Sequence, residues 1–148
     1  MIHLTRHTAH ETSRTLVMLH AFPFSSKMWN ELIPLLQDEN VNIVTVDIAG
    51  FGGASRAEWS MSSITQALNG SLTQENITKP VLCGLSMGGY IALAYSKQYP
   101  DQVGGLILAD TKSAADADEV KQDREKFALD ALGRGAIASV ERNLDKMT

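Results

Sequence analysis

Six residues, Gly84-Leu85-Ser86-Met87-Gly88-Gly89, constrain the fold of this chain more than any other feature. They join a short apolar run, Val81-Leu82-Cys83, to residues 87–99, which are apolar nearly all round and are stopped by Pro100. A strand that feeds straight into a buried helix needs a sharp turn. Glycines at 84 and 88 remove the Cβ atoms that would collide across it. The serine at the apex is forced into a strained backbone conformation, and its hydroxyl is lifted clear of the sheet. It also sits at a helix N-terminus, where free N–H groups and the dipole favour developing negative charge. The G-x-S-x-G spacing with these flanks predicts that Ser86 is a nucleophile rather than part of a chance Gly-Ser-Gly turn.

The same alternation runs along the rest of the chain. Leu16-Val17-Met18-Leu19, the β-branched stretch 41–48 and Leu106-Ile107-Leu108 are short apolar runs bounded by Gly, Pro, Asp or Asn, as buried parallel strands usually are. Residues 1–8 read as an additional edge strand or hairpin arm. Trp29, Leu32, Ile33 and Leu36 form one helical stripe, which Pro34 is expected to kink or shorten. Ile64, Ala67, Leu68 and Leu72 form another. The expected fold is therefore α/β, with a mostly parallel sheet and helices on both faces. Residues 116–130 are dense in charge, with a thin stripe of Val120, Phe127, Ala128 and Ala131, and Gly133 and Gly135 are expected to break it. A short helix over residues 136–147 carries Ile137, Val140 and Leu144 on one side. Both helices look exposed and in need of a surface to rest on.

At 148 residues the chain is long enough for one domain with a hydrophobic core. A net charge of −4 gives no case for nucleic acid, and no basic amphipathic stretch suggests a membrane surface. The opening Met1-Ile2-His3-Leu4 does not read as a signal peptide, and no apolar run is long enough to span a bilayer. Cys83 is the only cysteine, so no internal disulfide forms and a cytoplasmic setting is the expectation. The glycine-rich segments lack phosphate-loop spacing and no His/Cys/Asp cluster has metal-ligand spacing, so neither cofactor nor metal is expected.

Three further segments carry a resemblance. His20-Ala21-Phe22-Pro23 follows the strand at 16–19 directly. Asp47-Ile48-Ala49-Gly50-Phe51-Gly52-Gly53-Ala54-Ser55 follows the strand at 41–48. Gly105-Leu106-Ile107-Leu108-Ala109-Asp110-Thr111 closes the last strand. With the serine turn, they resemble the α/β-hydrolase superfamily, close to its esterase, haloperoxidase and enol-lactonase branch. The resemblance implies an oxyanion hole made by the backbone N–H groups of Phe22 and Met87, with Ala21 standing where the family usually has glycine. It implies that His20 and Asp47 brace their loops rather than act in a triad. Asp110, at the end of what resembles the family's sixth strand, is a candidate acid; its alternative reading is to cap the next segment or to hydrogen-bond the loop backbone. Residues 1–111 would be the N-terminal part of the hydrolase core and 112–148 the beginning of a helical lid.

In this family the triad runs Ser, then Asp or Glu, then His. The four histidines here, His3, His7, His10 and His20, all precede Ser86. The expectation is a serine hydrolase of carboxylic ester or lactone type, truncated after about the sixth strand. Its triad histidine and acid would come from a second polypeptide, and the isolated chain would be inactive. Two readings compete with it: a non-catalytic fragment that only folds or binds, and another hydrolase type on the same fold, such as a perhydrolase, thioesterase or C–C bond hydrolase. The expected partners are a small ester-like substrate and a C-terminal-half polypeptide bound along residues 106–108, or failing that a second copy of the chain.

Overall fold

The computed structural model describes residues 2–8, 14–37 and 39–147, with side chains as far as residue 143. His10 and the Leu144 side chain lie outside the described positions. Five strands form one sheet: β1 (His3–Arg6), β2 (Thr15–Leu19), β3 (Asn42–Asp47), β4 (Val81–Leu85) and β5 (Gly105–Ala109). Their order is β1-β3-β2-β4-β5, with β1 antiparallel at one edge and every other pairing parallel. β3 is buried at every position and β2 at all but one, as expected of central parallel strands packed on both faces.

The two faces are covered differently. On one, Val17, Leu19, Val44, Val46 and Leu82 pack against α1 (Met61–Gln74) and α2 (Met87–Gln98). α1 is rich in Ser, Thr, Asn and Gly, so propensity does little for it; burial of Ile64, Leu68 and Leu72, at roughly 1.5–3 kcal/mol each, fixes it to the sheet. It starts at a capping box in which Ser60 and Ser63 bond each other's backbone N–H. On the other face Met18, Ile43 and Cys83 pack against Trp29 and Ile33. The stripe of Trp29, Leu32, Ile33 and Leu36 is not an α-helix but two 3-10 helices, Ser26–Trp29 and Ile33–Leu36. Pro34 explains the difference: it has no N–H to donate, and its ring crowds the carbonyl four residues back.

The chain divides into two compact units, Met1–Ser113 and Ala114–Thr148. The second is a helical hairpin of α3 (Asp118–Arg134) and α4 (Ala136–Met147). Gly133 continues α3; only Gly135, at φ +73°, makes the break. Polar contacts join the two helices: Arg134 bonds Asp130 and Glu141, and Arg142 bonds Asp123 while lying 4.6 Å over the Phe127 ring. Ile137 and Val140 stay exposed on α4, as their stripe suggested.

Candidate active site

Ser86 lies at the turn from β4 into α2, where its backbone takes φ +50° and ψ −109°. An L-residue reaches that region only when its surroundings hold it there. The glycines show how tightly they do. A Cβ on Gly84 would come within 2.3 Å of the Gly88 carbonyl oxygen, and one on Gly88 within 2.1 Å of the Leu19 carbonyl oxygen. The serine turn therefore rests directly on the end of β2, which runs on into His20. One cross-sheet bond fixes its entry: the Ser86 N–H donates to the Ala109 carbonyl at 2.9 Å. Among the described residues the Ser86 hydroxyl has no hydrogen-bond partner.

The loop after β2 is braced from beneath. His20 is fully buried. Its Nε2 accepts from the Ile48 N–H at 3.2 Å, so Nδ1 carries the proton and donates to the Ala21 carbonyl at 2.9 Å. Burial pushes the His20 pKa below 6.5, against smaller opposing contributions from the Ala21 bond and the Asp47 charge, and the ring is neutral. Both ring nitrogens are thus occupied within the loop. Ala21 is buried and does not take a positive φ, so this loop conformation accepts alanine without backbone strain. The Phe24 N–H donates to the Ala21 carbonyl at 2.9 Å and closes a tight turn containing a cis Phe22–Pro23 bond. The Phe22 ring stands edge-on to Phe51, which also meets the His20 ring. Met87 N–H opens α2 and has no carbonyl one turn back within the helix.

Asp47 ties the neighbouring loop together. Its Oδ1 accepts from the Ser26 N–H and its Oδ2 from the Gly53 N–H, each at 2.7 Å. Burial alone would raise its pKa, but those bonds and the nearby His20 outweigh it and hold the carboxyl below 3.8. Gly52, at φ +53°, must lack a side chain, because a Cβ there would sit 2.2 Å from Asp47 Oδ2. Asp110 stands at the end of β5 at φ +42°, one residue beyond the carbonyl that holds Ser86. It is exposed, and among the described residues its carboxylate accepts no hydrogen bond. The N-cap of α3 is Ala117.

His7, just past the end of β1, bonds Thr45, and His3 lies exposed on β1 itself. Sequence reasoning missed Thr111, whose hydroxyl donates to the Ser86 carbonyl at 2.9 Å. The available signal was the third glycine, Gly89, which the turn itself does not need. A cleft of about 820 Å³ lies at the opposite, N-terminal ends of the strands, lined by Thr15, Val41, Val81 and Gly104, and takes no part in the Ser86 site. Among the described residues no three His, Cys, Asp or Glu side chains gather as a metal site would require.

Residues 14–147 match the family model of the alpha/beta hydrolase fold. This chain belongs to that family. It is 33% identical over 97 residues to the pimeloyl-[acyl-carrier protein] methyl ester esterase of Wigglesworthia glossinidia brevipalpis, covering 65% of this chain and 36% of that protein. Among solved structures it superposes on a thermophilic esterase from Thermogutta terrifontis with a TM-score of 0.84 at 30% identity, over 95% of this chain and 52% of that one. A bromoperoxidase from Bacillus anthracis shares the fold, with a TM-score of 0.77 at 23% identity over 95% of this chain and 54% of that one. The chain spans about half the length of these solved hydrolases and well under half of the curated relatives it matches. No described helix is long and apolar enough to cross a membrane.

Proposed function

We propose that this chain carries the nucleophile half of a serine hydrolase acting on carboxylic esters or lactones. Ser86 attacks the acyl carbon, its proton passing to the triad base, while the Phe22 and Met87 N–H groups hold the developing oxyanion. The ester C–O bond breaks, the alcohol leaves with that proton, and water then hydrolyses the acyl-serine to free the acid and restore the hydroxyl. The observation that carries this reading is the backbone of Ser86. A non-glycine residue at φ +50°, wedged between glycines at a strand-to-helix turn in an esterase-like fold, is the strain expected of a nucleophile. Relatives named as esterases support the ester-type substrate.

A serine needs a base, and His20 has none of its ring nitrogens to spare. In this reading the triad histidine comes from a second polypeptide that docks along β5. The acid comes with it; Asp110 is the alternative acid, supplied by this chain. The substrate-facing lid would begin in residues 112–148, and a cytoplasmic setting remains the working expectation. The reading is tested by ester hydrolysis in the chain alone and after adding a C-terminal-half polypeptide from a full-length relative. Activity should appear only in the mixture, and Ser86→Ala should remove it by on the order of a million-fold, since triad members act as a unit. Parent-rate hydrolysis by the Ser86→Ala mixture would refute the assignment.

The second reading, a non-catalytic folding or binding fragment, fits equally a Ser86 hydroxyl with no hydrogen-bond partner among the described residues. It predicts that no added polypeptide elicits turnover.

A further inference from the structure

Gly89 and Thr111 stand outside the machinery described so far, and the structure places them against each other. A Cβ on Gly89 would lie 2.5 Å from both Cγ2 and Oγ1 of Thr111. The third glycine thus makes room for this threonine side chain, not for the turn. In that space the Thr111 hydroxyl donates to the Ser86 carbonyl at 2.9 Å. The same carbonyl receives the Gly89 N–H at 2.9 Å and the Tyr90 N–H at 3.3 Å, both from α2 itself. Thr111 is the donor that reaches it from outside the helix.

The peptide group makes this contact consequential. The Ser86 carbonyl and the Met87 N–H belong to one planar, trans unit, so they point in opposite directions and turn together. A bond that fixes the carbonyl fixes the N–H. We propose that Thr111 is a positioning residue that aims the Met87 N–H at the oxyanion and keeps that peptide from rotating. The inference rests on the reading of Met87 as an oxyanion donor. It also accounts for the strained torsion: Ala109 holds the Ser86 N–H and Thr111 the Ser86 carbonyl, so two residues at the end of β5 grip both sides of one residue. A donor aimed from such a grip needs no reorganisation when charge develops.

The test compares Thr111→Val, which keeps the shape and removes the hydroxyl, with Thr111→Ser, which keeps the hydroxyl. Two readouts are taken on the ¹⁵N-labelled 148-residue chain combined with the complementing C-terminal-half polypeptide. One is the Met87 amide resonance and its hydrogen exchange; the other is the rate of Ser86 acylation by p-nitrophenyl acetate. Thermal melts confirm that each variant folds. In Thr111→Val the Met87 amide should shift and exchange faster. Acylation should slow roughly ten-fold or more at unchanged saturation, below the hundred-fold or greater loss of a deleted oxyanion donor. Thr111→Ser should restore both. Parent-like Met87 behaviour in Thr111→Val, or a Thr111→Ser variant that fails as the valine does, overturns the proposal. A parent mixture that is never acylated at Ser86 overturns the nucleophile reading instead, and the Met87 amide then still decides the role of Thr111.

Discussion

Ser86 is held by atoms that belong to other residues: the Leu19 end of β2 against Gly88, the Ala109 carbonyl and the Thr111 hydroxyl. Adding one methyl group at the closest of these contacts should therefore be costly out of proportion to its size. Gly88→Ala places a Cβ 2.1 Å from a backbone oxygen that has no side-chain freedom to move away. A loss on the order of 3 kcal/mol in urea unfolding is expected, at the upper end of ordinary overpacking. An alanine variant within experimental error of the parent would mean that β2 and the serine turn are not in contact. The buried loop groups act on stability through pH. His20 has a folded pKa below its ordinary 6.5, so below pH 6.5 the unfolded chain takes up a proton that the folded chain refuses. Stability falls as pH drops from 6.5 toward the folded value. Asp47, held below 3.8, adds stability that is present above that pH and is lost as pH falls through its own lower value. Melting temperatures between pH 8 and 3 should decline in two stages, the first weakened in His20→Gln and the second in Asp47→Asn. A flat profile from pH 8 to 5 would exclude a neutral, buried His20.

β5 is the element whose two sides differ most. One edge pairs with β4 from Gly105 to Ala109, while among the described residues the other has no strand beside it. Its central residues remain partly open, with Leu106 37%, Ile107 49% and Leu108 44% exposed. Neither charge nor proline protects this edge, and such edges pair with other chains. Ile107→Lys should weaken association with a complementing polypeptide or with a second copy by at least ten-fold. It should shift the chain's own stability by only about 0.5 kcal/mol, as a largely surface change does. Equal association by the lysine variant, measured by sedimentation, would remove β5 from the interface. The four parallel strands were legible because each is a compact, largely apolar run with clear punctuation, β1 only as an edge arm within residues 1–8, and the Ser86 turn because its glycines act within six residues. Trp29 to Leu36 was legible only as a stripe: the same spacing suits an α-helix and two 3-10 turns, and Pro34 decides between them through a missing donor. Of the Thr111 contact only the spare glycine at 89 was visible; the contact itself joins residues 25 apart whose meeting depends on the register of β5 against β4.

For the molecule as a whole, the proposed docking along β5, together with the exposed Ile137 and Val140, carries a prediction about association. Light scattering at tens of micromolar should show self-association, and adding the complementing polypeptide should replace it with a one-to-one complex. A monodisperse monomer with a cooperative melt would contradict this. The sheet order also has a temporal side. β2 pairs with β3 and β4, so chain made early waits for chain made later, and pairings of that kind are slow. The serine turn is the extreme case. Its helix is synthesised before Ala109 and Thr111, the two residues that grip Ser86 from outside, have been joined to the chain. A nascent polypeptide that has reached only Pro100 contains the whole G-x-S-x-G motif and cannot yet make those two contacts, so the strained backbone of Ser86 is gripped from both sides only once β5 has been made, and not when its own codon is read.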